Sequence, residues 1–251
     1  MIPPSLYLLI TGFGTPNWDH KVNILKNNLE KLGKIQWSKL KITVCQYSDR
    51  NMFMIPQDLI DKYNIHVIYE KGIVGEYIIR HASDELIKEY DYIMLLLDDV
   101  ELLELDFLKM IKYYNDFSFD ILSPCLSTDS KYQYEYMITC PNNVDINVVN
   151  VCEYFCLLFS TQNFKKYYIH LYPDNPWMWG LDLVLKKHLQ MKVGLLNKMT
   201  MKHWFKNESY NLVEPYVDPL LGLNSFLKRF NETTHGVILQ KAVEYYIIES
   251  K

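Results

Sequence analysis

Three carboxylates follow an apolar run in Leu95-Leu96-Leu97-Asp98-Asp99-Val100-Glu101. Adjacent acids repel one another unless a cation or a donor compensates them. A hard divalent ion, Mn²⁺ or Mg²⁺, meets that need and in turn holds phosphate oxygens. The same acids equally suit a solvated turn that opens a helix at Phe107, since carboxylates favour helix N-termini. A second constellation is Asp174-Asn175-Pro176-Trp177-Met178-Trp179-Gly180-Leu181-Asp182. Its indoles beside a glycine can wall a pocket for a sugar ring. Asp182 opens a helix, where an isolated Asp is ordinarily a cap. A third is Lys202-His203-Trp204-Phe205-Lys206, whose histidine gains interest only beside a carboxylate metal site. Gly12-Phe13-Gly14 resembles a dinucleotide turn, but the third glycine of that pattern falls at Asn17 and Pro16 intrudes. There is no P-loop, nucleophile elbow or HExxH.

The elements that must carry these residues alternate. Apolar runs at 6–11, 41–47, 65–69 and 92–97 read as strands, and amphipathic stretches at 20–32, 58–63 and 76–90 read as helices. That alternation implies βαβ units and a mainly parallel sheet flanked by helices, an α/β fold. Helices are expected at 107–114, 161–170 and 181–190, and strands at 120–123, 151–160 and 193–196. Residues 127–147 read as a polar loop. No repeat, linker or low-complexity tract divides the chain, so a single domain is expected over 1–251.

Composition narrows the function classes. The 251 residues carry 30 acidic and 26 basic side chains, a formal net charge of −4, which argues against a nucleic-acid partner. No apolar run approaches the ~18 residues needed for a membrane span. The N-terminus lacks a basic region and a clear cleavage site, so no signal peptide is read and a cytoplasmic location is expected. Cys45, Cys125, Cys140, Cys152 and Cys156 are odd in number and form no CxxC, which fits free thiols in a reducing compartment. The glycosylation patterns at Asn207 and Asn231 are therefore read as chance. There are 23 Lys, 18 Asn, 22 Ile and 20 Tyr but only 3 Arg, a bias that suggests an A+T-rich coding genome.

Taken in order, these pieces resemble a GT-A-fold, nucleotide-sugar-dependent glycosyltransferase over about residues 5–210. Leu97-Asp98-Asp99-Val100-Glu101-Leu102 aligns with that family's acidic motif, with Leu97 in place of its first acid. Val151 to Ser160 is similar to its "VE…FS" strand, and Trp179-Gly180-Leu181-Asp182 to its "WGLD" motif. Size and residue bias look most like the enzymes of large DNA viruses of the chlorella-virus type, which would place the protein in a host cytoplasm.

The resemblance implies a donor that is a nucleotide-diphosphate sugar, read as UDP-linked, and a glycan acceptor. It implies a nucleotide-binding half at about 1–105, an acceptor half at 106–210 and an extension at 211–251. Asp99 and His203 would hold Mn²⁺ or Mg²⁺. Asp182 would take the acceptor proton, with inversion at the anomeric carbon. Trp177, Trp179, Gly180 and Glu153 would face the sugars. Thr11, Gly12, Phe13, Ser48, Asp49, Arg50, Arg80 and Asp98 would line the nucleotide pocket, where parallel strand ends converge. For Arg80, an i,i+4 ion pair with Asp84 or Glu76 is the alternative. Two other functions stay open: a sugar-nucleotide hydrolase or nucleotidyltransferase, and a binding protein without turnover, which the missing first acid allows.

Overall fold

Apolar runs with no polar face must be covered on both sides, and the chain uses them as inner strands. In the computed structural model these are β1 (Ser5–Phe13) and β4 (Tyr92–Leu97), paired in parallel from Leu6 opposite Tyr92 to Thr11 opposite Leu97. On the other side of β1, β2 (Lys39–Gln46) and then β3 (Ile65–Tyr69) continue the parallel set. The structure describes residues 3–131, 137–138, 144–205, 219–232 and the backbone of 244–246. Cys140, Lys206, Asn207, Thr233 and most of the expected 211–251 extension lie outside the described residues.

The remaining strands are β5 (Val100–Glu104), β6 (Ile121–Leu126), β7 (Ile146–Val149), β8 (Cys156–Ser160), β9 (Val193–His203) and β10 (Glu244–Tyr246). The sheet order is β10-β7-β9-β6-β8-β4-β1-β2-β3, with β5 pairing β9 off that path. The expectation of a mainly parallel sheet holds for the first hundred residues and fails beyond them. β8 enters beside the end of β4, with Cys156 opposite Leu96, so it must run antiparallel. β9 is parallel to β6 but antiparallel to β5 and β7. The sheet is therefore mixed.

Helices α1 (Trp18–Leu32), α2 (Gln57–Tyr63), α3 (Val74–His81), α4 (Asp84–Ile87), α5 (Phe107–Asp116), α6 (Thr161–Tyr168), α7 (Leu181–Val184) and α8 (Pro219–Lys228) flank it. The helix expected over 76–90 is broken after His81. Ser83 is extended (φ −63°, ψ 154°) and Asp84 starts a new helix, as a Ser-Asp pair favours. The strand expected over 151–160 pairs only from Cys156, and the helix over 181–190 ends at Val184. β5 was not expected at all. The loop read at 127–147 overlaps the start of β7 at Ile146.

Candidate functional site

β4 ends at Leu97, and Asp98-Asp99 form the tight turn into β5. β5 then pairs β9 with Val100 opposite His203. That register brings the His203 imidazole to the turn: Nε2 lies 3.1 Å from Asp99 Oδ2, with both side chains largely buried. The Lys131 carbonyl sits 2.6 Å from Nδ1 and accepts its proton, which leaves Nε2 to face the carboxylate. Phe155 stacks on the ring at 4.4 Å. Burial alone would lower the imidazole pKa. The Asp99 hydrogen bond and charge, the Lys131 carbonyl and the Glu153 charge outweigh it, and the net shift is upward.

A short strand rich in acids needs support, and α1 supplies it. Asn28, buried on the inner stripe of α1, donates Nδ2 to the Val100 carbonyl and accepts the Leu102 amide on Oδ1, both at 2.8 Å. It stands in for a neighbouring strand. Asn27 and the Trp204 indole N–H both donate to Glu101, at 2.8 and 2.9 Å. Glu101 thus belongs to the scaffold.

Asp98 turns inward. Its Oδ2 is 2.6 Å from Lys21 Nζ, and the two side chains are 9% and 6% exposed. The Gly14 amide donates to the same oxygen at 3.4 Å. Burial and then the Asp99 charge push the Asp98 carboxyl up, against the pull of Lys21 and Gly14. Close by, Gly14 packs so tightly that a Cβ there would lie 2.5 Å from Ser48 Oγ.

The tryptophan-rich turn docks from the other side. The Asn175 side chain donates to the Trp179 carbonyl at 2.9 Å, and the Gly75 amide of α3 donates to the Pro176 carbonyl at 2.8 Å. Gly180 has φ +86°, a conformation that favours glycine, and a Cβ there would meet Leu223 of α8 at 2.6 Å. The next turn is α7, which carries Asp182 partly buried. Burial raises its carboxyl pKa to about 6, against the backbone amides of Leu183, Asp182 and Gly180.

These parts face one cavity of about 760 Å³ at the carboxyl edge of the parallel strands. It brings together Thr11, Gly12, Asp98, Asp99, Glu153, Trp177, Trp179, Gly180, Asp182 and His203. Five expected residues do not line it. Phe13 points into the core, its ring edge-on to Trp18 at 5.2 Å. Ser48 accepts the Thr15 amide, and Asp49 the Asn51 amide, each at 2.8 Å. Arg50 lies over the Tyr69 ring at 4.9 Å. Arg80 is held by Glu70 at 3.2 Å and by Glu76, its i,i+4 neighbour, at 3.3 Å.

Lys21, Tyr47, Lys131 and Tyr154 line the cavity and were not anticipated. Lys21 left a signal in the sequence. The buried stripe of α1 is Lys21, Ile24, Leu25, Asn28, Leu29 and Leu32, so a lysine and an asparagine occupy positions where an amphipathic helix places apolar residues. Among the described residues, no group of three or more His, Cys, Asp or Glu could by itself hold a metal. The Asp99–His203 pair would need ligands from elsewhere. Among the described residues, too, no helix is long and apolar enough to cross a membrane.

No family model matches the chain, and no curated protein does. Many solved structures resemble it, two of them as follows. One is A197 from STIV, 14% identical over 80% of this chain and 86% of that one, with a TM-score of 0.47. The other is TarS 1–349 of S. aureus, 10% identical over 90% of this chain and 71% of that one, with a TM-score of 0.52. The likeness to TarS bears on the fold alone: the chain is a mixed α/β domain with a central helix-flanked sheet, GT-A-like in architecture.

Proposed function

We propose that the protein is a metal-dependent glycosyltransferase that moves a sugar from a nucleotide-diphosphate donor, read as a UDP-sugar, to a glycan hydroxyl with inversion. One observation carries this reading. Asp99 and His203 meet at 3.1 Å at the carboxyl edge of a GT-A-like sheet, in the same cavity as Asp182 and two tryptophans.

The donor set fits a divalent cation. One carboxylate oxygen and one imidazole nitrogen, oriented through Nδ1 by a carbonyl, suit Mn²⁺ better than Mg²⁺, which prefers oxygen alone. Two protein ligands leave positions for a diphosphate. When bound, such a cation neutralises charge on the leaving diphosphate. Asp99 and His203 would hold it. Thr11, Gly12 and Asp98 border the nucleotide. Trp177, Trp179 and Gly180, with Glu153, border the sugars. Asp182, at about 6, is deprotonated at neutral pH and still basic enough to accept the acceptor's proton. The residue bias supports a source among large DNA viruses, with the reaction in the host cytoplasm.

Calorimetry against UDP- and GDP-sugars, with Mn²⁺ and with EDTA, tests the reading. UDP binding should require the cation, and Asp99→Asn should abolish the requirement together with the binding. Equal affinity with and without EDTA would remove Asp99 and His203 from the role. Product analysis separates the competing reactions: free sugar or pyrophosphate would mark a hydrolase or nucleotidyltransferase. A retained anomer, read by NMR, would reject inversion.

A further inference from the structure

In an open sheet, ligands bind outside the carboxyl ends of the strands, at the point where the strand order reverses. Here β1, β2 and β3 follow one another in one direction, and β4 returns to the far side of β1. The reversal therefore falls between β1 and β4, where Thr11 stands opposite Leu97. Both residues line the cavity. A pentose bound at such a point is read through its hydroxyls by an acidic side chain. Leu97 has no polar side-chain atom to offer. It is half-buried against the core and still borders the cavity. The polar groups around it are spent on the protein. Asp98 Oδ2 takes both Lys21 Nζ, at 2.6 Å, and the Gly14 amide, at 3.4 Å. Asp99 faces His203 at 3.1 Å. Thr11 is fully buried, with its Oγ1 3.4 Å from the Tyr154 hydroxyl. The Tyr47 hydroxyl donates to the Thr15 carbonyl. Ile73 and Val74 add apolar wall, and the acid beside them, Glu76, accepts the Ile73 amide at 3.0 Å and holds Arg80.

We infer that the nucleoside end of this cavity does not read the 2′-hydroxyl of the pentose, so that it binds 2′-deoxyribonucleotide sugars, thymidine-diphosphate sugars among them, alongside ribonucleotide ones. The inference rests on the reading of the cavity as a nucleotide-sugar site. Leu97 sets this breadth of donor. A polar side chain in its place would be paired by the hydroxyl of a ribonucleotide and left unpaired by a deoxyribonucleotide, and a site built that way rejects the ligand that lacks the group. A leucine makes no such distinction: it loses no hydrogen bond when the hydroxyl is missing.

The test is calorimetry of the wild-type protein with UDP against dUDP and with GDP against dGDP, so that the base is constant within each pair. Each titration is run with Mn²⁺ and again with EDTA, so the comparison stands whichever way a cation requirement falls. For whichever base binds, the deoxy form should bind within about threefold of the ribo form. A preference for the ribo form of about tenfold or more, the size of a hydrogen bond to a charged acceptor, overturns the inference while leaving the nucleotide reading in place. Leu97→Asn supplies an acceptor at the reversal point. Once thermal melts show it folded, it should raise the ribo-over-deoxy ratio by about three- to tenfold. An unchanged ratio in the folded variant removes Leu97 from the pentose and overturns its role. Should that variant fail to fold, the wild-type ratio decides alone. Absence of binding by all four diphosphates would instead remove the nucleotide-sugar reading of the cavity, and this inference with it.

Discussion

The two poles of the cavity are built in different ways. The Asp99–His203 pole rests on paired strands, with Val100 locked opposite His203, a buried asparagine closing the free edge of β5 and a buried ion pair behind the turn. The Asp182 pole rests on a one-turn helix entered through the loop that carries Trp177 and Trp179. That loop is tethered to α8 by the Arg229–Asp174 pair at 2.6 Å and by the Ser225 hydroxyl donating to Asp174 at 3.1 Å. The tether is 41% and 48% exposed, where the Lys21–Asp98 pair is below 10%. Exposed pairs contribute little, whereas breaking a buried one is expensive. The difference teaches that the Asp99–His203 geometry is fixed by the sheet, while the wall bearing the tryptophans lies outside it and can adjust.

The largest effect should come at the adjustable pole. Asp182→Asn keeps the shape of the side chain and loses its basicity, so turnover should fall by ~10²–10⁴ with donor affinity unchanged. A fully active variant would leave Asp182 as a helix cap, which Asn performs as well. The same variant tests stability. The folded-state pKa of Asp182 is raised to about 6 from the ordinary carboxylate range. The folded protein therefore takes up the proton first, and stability is lost as pH rises from about 4 through 6. Denaturant melts should show Asp182→Asn equal to the wild type at pH 4 and more stable by about 2–3 kcal/mol above pH 6. A constant difference across that range would contradict the assignment.

At the sheet-held pole, Asn28→Ala strands the Val100 carbonyl and the Leu102 amide in the interior. A loss of about 2–4 kcal/mol in chemical denaturation is expected, together with weaker Mn²⁺-dependent UDP binding as β5 loosens. Loss of stability with UDP binding intact would show that β5 needs no help from α1.

Smallest are the surface pairs. Arg229→Ala should cost no more than about 1 kcal/mol and alter acceptor KM by a few-fold without touching UDP affinity. Arg80→Ala should leave UDP affinity within about twofold. A tenfold loss, measured by calorimetry, would return Arg80 to the nucleotide pocket.

What the sequence made legible follows the same division. The strand covered on both faces, 92–97, announces itself and is read to the residue; so is 65–69, an edge strand in which only Ile65 is buried. The acids after β4 and the Trp179-Gly180-Leu181-Asp182 turn stood out because their neighbours are so apolar. β5 was missed because five residues with two acids make no strand alone; its partners are β9, about a hundred residues away, and the Asn28 side chain. Lys21 was missed for a related reason: its partner, Asp98, is distant in sequence. Arg80 drew attention by rarity, yet its local partner Glu76 was the better guide. Residues 151–155 read as strand because they are mostly apolar or aromatic, but Cys152, Glu153, Tyr154 and Phe155 line the cavity wall rather than a ladder.

The position of β4 also governs when each part of the site opens. Ile93 to Leu96 have no exposure and lie between β1 and β8, so their amides exchange with deuterium only as the whole sheet comes apart. The Asp98-Asp99 turn is joined to that slowest segment, and a ligand held there finds little opening left to suppress. The tryptophan loop and α8 pack on each other through Gly180, Leu223 and Phe226 and on α3 through the Gly75–Pro176 bond, outside the sheet, so they can open without it. If the proposed nucleotide-sugar binding holds, protection gained on it should therefore appear at residues 172–180 and 219–228, well away from the strand that leads into the Asp98-Asp99 turn.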